Sequence, residues 1–406
     1  MSLIVQKFGG SSVRDAQRIR NVAGIIADTY REGNQVMVVL SAQGDTTDDL
    51  IEKAREINPR ASKREMDMLL STGEQISIAL CAMALEDMGL PVVSLAAWQV
   101  GIQTTSAYSD ARIKKIDPER IQRELDKNKI VLVAGFQGVN RFGDVTTLGR
   151  GGSDTSAVAL AAAFGADLCQ IYTDVDGVYT TDPRVAPGAV KLEEITYDEM
   201  LELASQGAQV LHNRSVELAK KYHVNMEVVS SLERKPGTKV KEVVKMEKTN
   251  IAGVAKDTSI ARIAVVGLDH SPGVAFRVFS LLGKAGINVD AIIQSIGRDT
   301  SKDISFTLPR ADVEEAVRVL EEQKGALHFD HLTVEDKIAK VSIVGAGMMT
   351  TPGVAAKMFE ALYDANINIQ MINTSEIRVS VLIDEEDAVA AVRAVHDKFF
   401  GDDSFS

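Results

Sequence analysis

The chain has 406 residues, of which 45% are apolar and 25% charged, close to the averages for folded soluble proteins. This length predicts two or three domains with at least one sizeable core, and it excludes a small module held together by disulfides or a metal. The 57 acidic residues outnumber the 45 basic ones and give a net charge of −12, which argues against nucleic acid or an anionic membrane as a partner.

Two further features place the chain in a reducing compartment. Cys81 and Cys169 lie in apolar stretches without CxxC spacing, so we expect buried free thiols and neither a metal site nor a disulfide. The longest apolar runs, such as 130–136, are far shorter than the roughly 18 residues of a membrane span. The N-terminal stretch does not resemble a signal or transit peptide. The expected location is the cytoplasm, with no membrane contact.

Short apolar runs alternate with helical patterns through the N-terminal region, which predicts an α/β domain with a mostly parallel sheet. The first unit shows the pattern well, because strand candidates at 3–7 and 36–41 flank a stretch with apolar residues at helical spacing. Further strands are expected at 91–96, 130–136, 168–173 and 226–231, and helices at 62–88 and 153–164. This domain is expected to span 1–232.

The stretch 233–250 contains a Pro-Gly turn and several lysines, which predicts a solvated linker. Beyond it, 271–295 matches 351–375 at a constant offset of 80 residues, so the C-terminal region contains an internal repeat. Each copy follows the order β-α-β-β-α of a ferredoxin-like fold. We expect these domains at 261–337 and 338–406. Only the first copy has its own last strand, so 251–256 is expected to supply that of the second.

Two glycine-rich turns are candidate phosphate sites. The sequence Lys7-Phe8-Gly9-Gly10 lies between the first strand and a helix, where backbone amides and a lysine can meet an anion. Taken alone, such a turn is more often only a tight turn beside a surface lysine. The second turn, 149–152, opens an alanine-rich helix with Ser153, Asp154 and Thr155 at its start, and contains more glycine than a helix cap requires.

A third segment, 172–184, places Thr173, Asp174 and Asp182 beyond a strand end, where α/β sheets bind ligands, although an acidic turn would look the same. The chain contains no GxxxxGK[ST] motif, no GxGxxG motif and none of the protein-kinase triplets. The short GAG sequence at 345–347 falls inside the repeat and is interpreted as a turn.

In this order, the segments KFGGSS, SAQGDTTDDL, LLSTGEQIS, TLGRGGSDTS and YTDVDGVYTTDPR resemble those of aspartokinases, members of the amino-acid kinase superfamily. The resemblance covers essentially the whole chain, since the repeat is similar to the paired ACT domains of that family. It implies that ATP and L-aspartate react, with Mg²⁺, to give L-4-aspartyl phosphate, the first step toward lysine, threonine and methionine. No metal site made by the protein itself is expected.

The resemblance also implies residue roles. Lys7 and Asp154 are the expected catalytic residues; because the attacking carboxylate is already ionised, Asp154 is expected to orient Lys7 rather than to remove a proton. Glu74 suits the ammonium of aspartate and Arg150 its α-carboxylate. The full expected nucleotide site is Lys7, Phe8, Gly9, Gly10, Thr173, Asp174, Tyr179, Asp182 and Arg184. The full expected aspartate site is Ser41, Thr47, Glu74, Arg150, Gly151, Gly152 and Ser153.

Feedback inhibition by lysine, threonine or both is expected at the ACT domains, which also imply a homodimer or larger assembly. The expected inhibitor-binding residues are Asp269, Ser271, Gly273, Val274, Ala275, Asn288, Asp290, Gln294, Asn368 and Ser375. An internal start at Met246, giving a separate regulatory subunit, stays open.

Three points compete with this interpretation. Another amino-acid kinase, acting on glutamate, acetylglutamate, carbamate or UMP, is an alternative, and so is a non-catalytic amino-acid sensor. From the residues alone, Glu74 could also face solvent on its helix. Finally, Gln209 replaces a lysine that many aspartokinases have near the nucleotide, which puts one basic contact in doubt.

Overall fold

The computed structural model describes residues 1–207, 210–243, 251–269, 271–296 and 302–401. These residues form two compact units. The described residues of Met1–Tyr179, Lys191–Ser205 and Gln209–Met246 form the first unit, and those of Thr180–Val190, Gln206–Ala208 and Glu247–Ser406 form the second. A single boundary at 232 does not describe this division, because residues 180–190 of the N-terminal region pack with the C-terminal residues.

The first unit is built on an eight-stranded sheet whose central strands are parallel. The strands of the whole unit, in chain order, are β1 (Leu3–Phe8), β2 (Gln35–Leu40), β3 (Val92–Leu95), β4 (Ile102–Thr104), β5 (Ile113–Ile116), β6 (Ile130–Ala134), β7 (Gln137–Val139), β8 (Val145–Thr147), β9 (Leu168–Thr173), β10 (Glu194–Thr196), β11 (Met226–Ser230) and β12 (Thr238–Lys241). The large sheet has the order β10-β12-β11-β9-β1-β2-β6-β3, and β5-β4-β7-β8 form a second sheet. This confirms the expected parallel α/β fold.

The helices of this unit cover the large sheet. They are α1 (Ala16–Arg31), α2 (Thr46–Ile57), α3 (Lys63–Leu70), α4 (Thr72–Asp87), α5 (Glu119–Leu125), α6 (Gly152–Phe164), α7 (Tyr197–Ser205) and α8 (Asn213–Tyr222). One core cluster packs α1 and α4 against the sheet, with Val22, Ile26 and Leu85 meeting Val38 and Leu132. The apolar strand runs thus form the core that the sequence predicts.

Two expectations need correction or comment. The linker expected at 233–250 contains β12, because Val240 alternates with lysines and pairs into the sheet beside Met226.

The run Lys63–Asp87 is long and apolar enough, by length and composition, to cross a membrane. However, its α4 part buries Ile78, Cys81 and Leu85 in the core, as the core helix of a soluble protein does.

The second unit contains the internal repeat as two four-stranded antiparallel sheets. Its strands are β13 (Gly253–Asp257), β14 (Ile260–Leu268), β15 (Asp290–Ile296), β16 (Lys302–Pro309), β17 (His331–Glu335), β18 (Ile338–Val344), β19 (Met371–Thr374) and β20 (Arg378–Asp384). Its helices are α9 (Val274–Lys284), α10 (Val313–Glu322), α11 (Lys324–Leu327), α12 (Val354–Asp364) and α13 (Ala388–Phe400). The sheet orders are β15-β16-β14-β17 and β13-β18-β20-β19. Both are ferredoxin-like.

The edge strand of the second repeat comes from outside it. β13 pairs antiparallel with β18, from Gly253 opposite Val344 to Asp257 opposite Lys340. Ile251 and Val254 also join the core of that repeat. A strand from the stretch 251–257 therefore occupies the position that β17 fills in the first repeat.

The 180–190 segment is tied to the same repeat. The carbonyl of Thr180 accepts from the Val254 amide at 2.7 Å, and its hydroxyl lies 2.9 Å from His396 Nε2. Arg393 Nε donates to the carbonyl of Val185 at 2.6 Å. Strand β13 and helix α13 thus hold the segment by backbone and side-chain hydrogen bonds.

Removing β13 should unpair one whole side of β18. We expect a fragment 246–406 to fold and to unfold cooperatively, whereas 258–406, which lacks β13, should expose the β18 edge and aggregate. Size-exclusion chromatography and thermal unfolding of both fragments check this. Equal solubility and equal cooperativity would contradict the structural importance of β13.

Candidate active site

A lysine and a carboxylate meet at the carboxyl end of the central strand. Lys7 lies near the end of β1, and Asp154 lies in the first turn of α6, which packs on β1. Lys7 Nζ is 2.7 Å from Asp154 Oδ1, and both side chains are nearly buried, with 12% and 11% exposed. The carboxylate thus fixes the position of a mostly desolvated cation.

The turn after β1 is closely packed around this cation. A Cβ at Gly9 would lie 3.4 Å from Lys7 Nζ, and one at Gly10 would lie 2.8 Å from the carbonyl oxygen of Ala42. A side chain at Gly10 would therefore force the backbone apart. The structure brings Lys7, Gly9 and Gly10 together as expected.

The side chain of Phe8 lies in the core. Its side chain is fully buried and stacks on Tyr172, with ring centroids 4.5 Å apart. Phe8 alternates with Lys7 on the strand, so the two side chains lie on opposite faces of the sheet. The ring therefore supports the turn from within the core, so the expected nucleotide contact of Phe8, which stays a prediction, would come from its backbone.

Sequence reasoning missed two serines that hold this turn. Ser12 Oγ donates to Ser231 Oγ at 2.8 Å, and the Ser231 amide donates to the carbonyl of Thr173 at 2.8 Å. Both serines are buried. They tie the first glycine turn to the ends of β9 and β11. The serine pair that ends the strand run at 226–231 is the signal that could have indicated this role.

The second glycine turn adopts the left-handed backbone that its sequence suggests. Gly149 and Gly151 have φ values of +77° and +65°, and a Cβ at Gly151 would lie 2.2 Å from the ring of His212. Ser153 and Asp154 follow in the buried first turn of α6. Burial lowers the pKa of His212, so a neutral ring packs on this turn near neutral pH. Sequence reasoning did not identify His212.

Glu74 is the most unusual carboxylate of this unit. It is only 3% exposed, in the first turn of α4, and its Oε1 accepts from the Ala42 amide at 3.2 Å. Its Oε2 is buried and has no hydrogen-bond partner among the described residues. Burial raises the pKa of Glu74 to about 8. A buried acceptor without a partner is suited to a ligand that donates.

Three other expected aspartate residues, Ser41, Thr47 and Arg150, are less buried than Glu74. Ser41 directly precedes Ala42, the partner of Glu74, and Thr47 lies in the first turn of α2; both are half-buried. Arg150 is exposed and forms no ion pair within the described ranges. Its guanidinium is thus available to an anion at the second glycine turn.

The expected nucleotide residues after β9 fall into two groups. In the first unit, Thr173 Oγ1 donates to Asp174 at 3.0 Å, and the Tyr179 hydroxyl donates to Asp176 at 2.7 Å. Asp182 and Arg184 belong to the second unit, where the guanidinium pairs with the carboxylate at 2.8 Å. The structure therefore does not gather this set around Lys7 within one unit.

The expected inhibitor-binding residues lie on the second unit and are mostly exposed: Asp269, Asn288, Gln294, Asn368 and Ser375. Gly273 precedes α9 with φ +87°, Val274 and Ala275 begin the helix, and Ser271 Oγ accepts from Arg277 at 3.1 Å. Asp290 lies 2.9 Å from the buried Lys340. Burial opposes ionisation of Asp290, but Lys340 outweighs it and holds the pKa below its usual value. Gln209 and Met246 lie outside the described residues.

Neither cysteine forms a disulfide, and both are buried, as expected. Burial raises the pKa of Cys81 to about 12, so this thiol is unreactive near neutral pH. Within the described part of the chain, no group of three or more His, Cys, Asp and Glu residues could hold a metal ion.

Comparison with known proteins decides the family. The model of the amino acid kinase family matches residues 2–230, and an ACT domain model matches 263–323 and 341–399. Aspartokinase 2 of Bacillus subtilis is 51% identical over 400 residues, which cover 98% of each chain. The chain belongs to the aspartokinase family. The resemblance found in the sequence is thereby confirmed, and the chain is an aspartate kinase rather than a sensor or another amino-acid kinase.

Two crystal structures of E. coli aspartokinase III show the same fold. The complex with aspartate and ADP, in the R-state, has a TM-score of 0.85 at 26% identity and covers 98% of this chain and 100% of that one. The complex with lysine and aspartate, in the T-state, has a TM-score of 0.74 at 27% identity, with 98% and 99% covered. Thus the aspartokinase fold extends over both units.

Replacing Glu74 should stabilise the protein above pH 5. In the unfolded chain its carboxyl titrates near 4.5, but in the folded state near 8, so between these values the unfolded state releases a proton that the folded state keeps. The free energy of unfolding therefore falls by up to about 1.4 kcal/mol per pH unit in that window. We expect Glu74→Gln to raise Tm by several degrees at pH 8, relative to its effect at pH 4.5.

Thermal unfolding of both proteins across this pH range measures the effect. Glu227→Gln, in the same unit but with a half-buried carboxylate that accepts from Gln170, is the control and should change Tm much less with pH. A Glu74→Gln difference in Tm that does not vary with pH would contradict the raised pKa.

Proposed function

We propose that this aspartokinase transfers the γ-phosphoryl group of ATP to the side-chain carboxylate of L-aspartate, giving L-4-aspartyl phosphate. The observation that carries this proposal is the Lys7–Asp154 pair at the carboxyl end of β1, together with the buried Glu74, which is bonded to Ala42 and whose Oε2 has no partner among the described residues. E. coli aspartokinase III, crystallised with aspartate and ADP, supports both ligands.

For the nucleotide, the residues that fit best are Lys7, Gly9 and Gly10. A fixed cation and the amides of a glycine turn can neutralise the charge on the transferred phosphoryl group. Asp154 holds Lys7 in place and is itself favoured by the N-terminus of α6. Thr173, Asp174, Tyr179, Asp182 and Arg184 are proposed to complete the nucleotide site.

Mg²⁺ is proposed to enter with ATP. Protein sites of this kind bind Mg²⁺ through phosphate oxygens and waters with one or two carboxylates, so the lack of a three-ligand cluster in the described ranges fits this mode. Asp154 and Asp174 are the carboxylates in the first unit that could take part. When bound, Mg²⁺ would supply charge neutralisation on the phosphates.

For aspartate, the ammonium is proposed to bind Glu74 and the α-carboxylate Arg150. An ammonium would give the buried Oε2 its missing partner and would favour the ionised form of Glu74. The guanidinium can hold a carboxylate with two parallel hydrogen bonds. Ser41, Thr47 and the turn formed by Gly151, Gly152 and Ser153 are proposed to add polar contacts around the substrate. The side-chain carboxylate attacks without a general base, because it is ionised at neutral pH.

Regulation is proposed to act through the two ACT domains, with lysine, threonine or both as inhibitors. The E. coli enzyme crystallised with lysine and aspartate supports lysine. Free amino acids carry an ammonium and an α-carboxylate, which Asp290 or Asp269 and the amides at the start of α9 could bind. The product would then feed the synthesis of lysine, threonine and methionine.

We further propose the following organisation. The catalytic domain is 1–232, the linker is reduced to the part of 233–250 outside β12, and the ACT domains are 261–337 and 338–406, with 251–256 supplying the last strand of the second.

Exposed apolar side chains on the ACT domains, including Phe276, Ile292 and Tyr363, support assembly into a homodimer or larger oligomer. An internal start at Met246 would give a regulatory subunit that keeps β13. The buried free thiols support a cytoplasmic location.

The central test is the loss of the fixed cation. We expect Lys7→Ala to lower kcat by a factor on the order of 10² to 10³, as for loss of one preorganised donor. Aspartate-dependent ATP turnover, with hydroxylamine trapping of the acyl phosphate, measures this. Lys129→Ala, which removes a lysine paired with Glu124 on α5, is the control and should keep wild-type kcat. Turnover of Lys7→Ala within tenfold of wild type would refute the assignment.

Inhibition should depend on Asp290. We expect Asp290→Ala to keep catalysis and to lose inhibition by lysine or threonine, measured as the inhibitor concentration that halves the rate. Asp312→Ala, which changes a half-buried carboxylate directly before α10, is the control. Because removal of Asp290 leaves the buried Lys340 unpaired, circular dichroism should be measured for each variant. Unchanged inhibition in a folded variant would exclude Asp290 from the inhibitor site.

A further inference from the structure

The carboxylate of Asp67, on α3, is fully buried and accepts hydrogen bonds from two separate segments of the chain. Asp67 accepts from the Ser109 amide at 2.9 and 3.1 Å, from the Ser109 hydroxyl at 3.3 Å, and from the amide and hydroxyl of Thr147 at 2.9 and 2.8 Å. It forms no ion pair in the part of the chain that the structure describes. A buried anion is costly unless all its acceptor positions are used, and here two residues use them.

The buried guanidinium of Arg214, on α8, binds two carbonyls further along the same two segments. Arg214 donates from Nη1 to the carbonyl of Leu148 at 2.7 Å and from Nη2 to the carbonyl of Ala111 at 2.7 Å. Its contact with Asp110 is longer, 3.7 Å, and that carboxylate is exposed. The planar guanidinium is therefore used to join two backbone carbonyls, which a lysine amine could not do in the same geometry.

The two segments are also joined directly, since the Ala111 amide donates to the carbonyl of Thr147 at 2.9 Å. The left-handed Gly149 follows at once, and a Cβ there would lie 3.1 Å from the carbonyl oxygen of Ser109. Thus the strand end at Thr147 and Leu148 is held from both sides, only two residues before Arg150. Its direction sets the course of the second glycine turn.

We propose that Asp67 and Arg214 are positioning residues for aspartate binding, acting through the turn that carries Arg150. Neither is assigned a contact with substrate. Asp67 fixes the amide and hydroxyl of Thr147, and Arg214 fixes the carbonyl of Leu148. Together they place the Arg150 backbone so that its guanidinium can reach the aspartate α-carboxylate. This inference rests on the proposed function, since it explains how the aspartate site is kept in shape.

Asp67→Asn tests the inference with little change in volume. The amide group must turn an NH₂ toward the donors of Ser109 or Thr147, so the turn should shift while the core stays packed. We expect KM for aspartate to rise at least tenfold, KM for ATP to stay within twofold, and the circular dichroism spectrum to stay native. Arg214→Lys should give the same pattern.

A double-mutant cycle separates positioning from general destabilisation. If Asp67 acts through Arg150, then in Asp67→Asn/Arg150→Ala the increase in aspartate KM should be close to that of Arg150→Ala alone. Glu124→Gln is the matched control and should leave both KM values unchanged, because Glu124 is also buried in this unit but pairs with Lys129, beyond the end of α5. If Asp67→Asn does not fold, Thr147→Val removes one donor to the same carboxylate and is tested in its place.

The outcomes distinguish the two levels of inference. A selective rise in aspartate KM that is not additive with Arg150→Ala supports positioning. The positioning role would be overturned by an unchanged aspartate KM, by equal rises in KM for both substrates, or by full additivity with Arg150→Ala. Each of these results leaves the proposed function intact as long as the wild-type protein turns over aspartate. No aspartate-dependent turnover by the wild-type protein would instead refute the proposed function.

Discussion

The site depends on one ion pair, between Lys7 on the central strand and Asp154 at the start of α6. Its geometry requires that β1 lie between β2 and β9 and that α6 pack on β1. The carboxylate is at the positive end of a helix and the lysine at the end of a buried strand, so neither group relies on surface charge pairing. Both glycine turns then border this pair by chain connectivity alone.

Around this pair, the protein retains polar groups that a core selected only for stability would replace. Among the described residues, Glu74 has a buried oxygen without a hydrogen-bond partner, and Asp67 is buried without an ion pair. The Glu74 oxygen is suited to a donor on a ligand, whereas Asp67 accepts from amides and hydroxyls of the chain itself. Their different hydrogen-bond states separate a group suited to a ligand from a group that shapes the walls around it.

The long elements could be predicted because their sequence patterns reflect burial. The runs at 36–41 and 130–136 are apolar throughout, as strands covered on both faces must be, and the repeat fixed the plan of both C-terminal domains. The short strands β4, β5, β7 and β8 were missed because three or four residues carry too little pattern. β12 was missed because its alternating lysines look like a linker.

Candidate site residues could be proposed from the sequence only where chemistry and motif coincide, as at Lys7, Glu74 and Asp154. Ser231, His212, Asp67 and Arg214 act through contacts with residues that are distant in sequence, so no local pattern indicates them. At Phe8 the motif predicts a ligand contact but does not say which atoms make it, and strand alternation places the ring in the core, which leaves only the backbone for that contact.

The 180–190 segment has a consequence for how such enzymes can be recombined. It begins directly after Tyr179, yet its hydrogen-bond partners are Val254 on β13 and Arg393 and His396 on α13. A chimera that joins this catalytic region to the regulatory region of a relative would therefore place Thr180 and Val185 against foreign side chains. For a compatible exchange, these eleven residues have to be transplanted together with the ACT domains, although they are encoded inside the catalytic region.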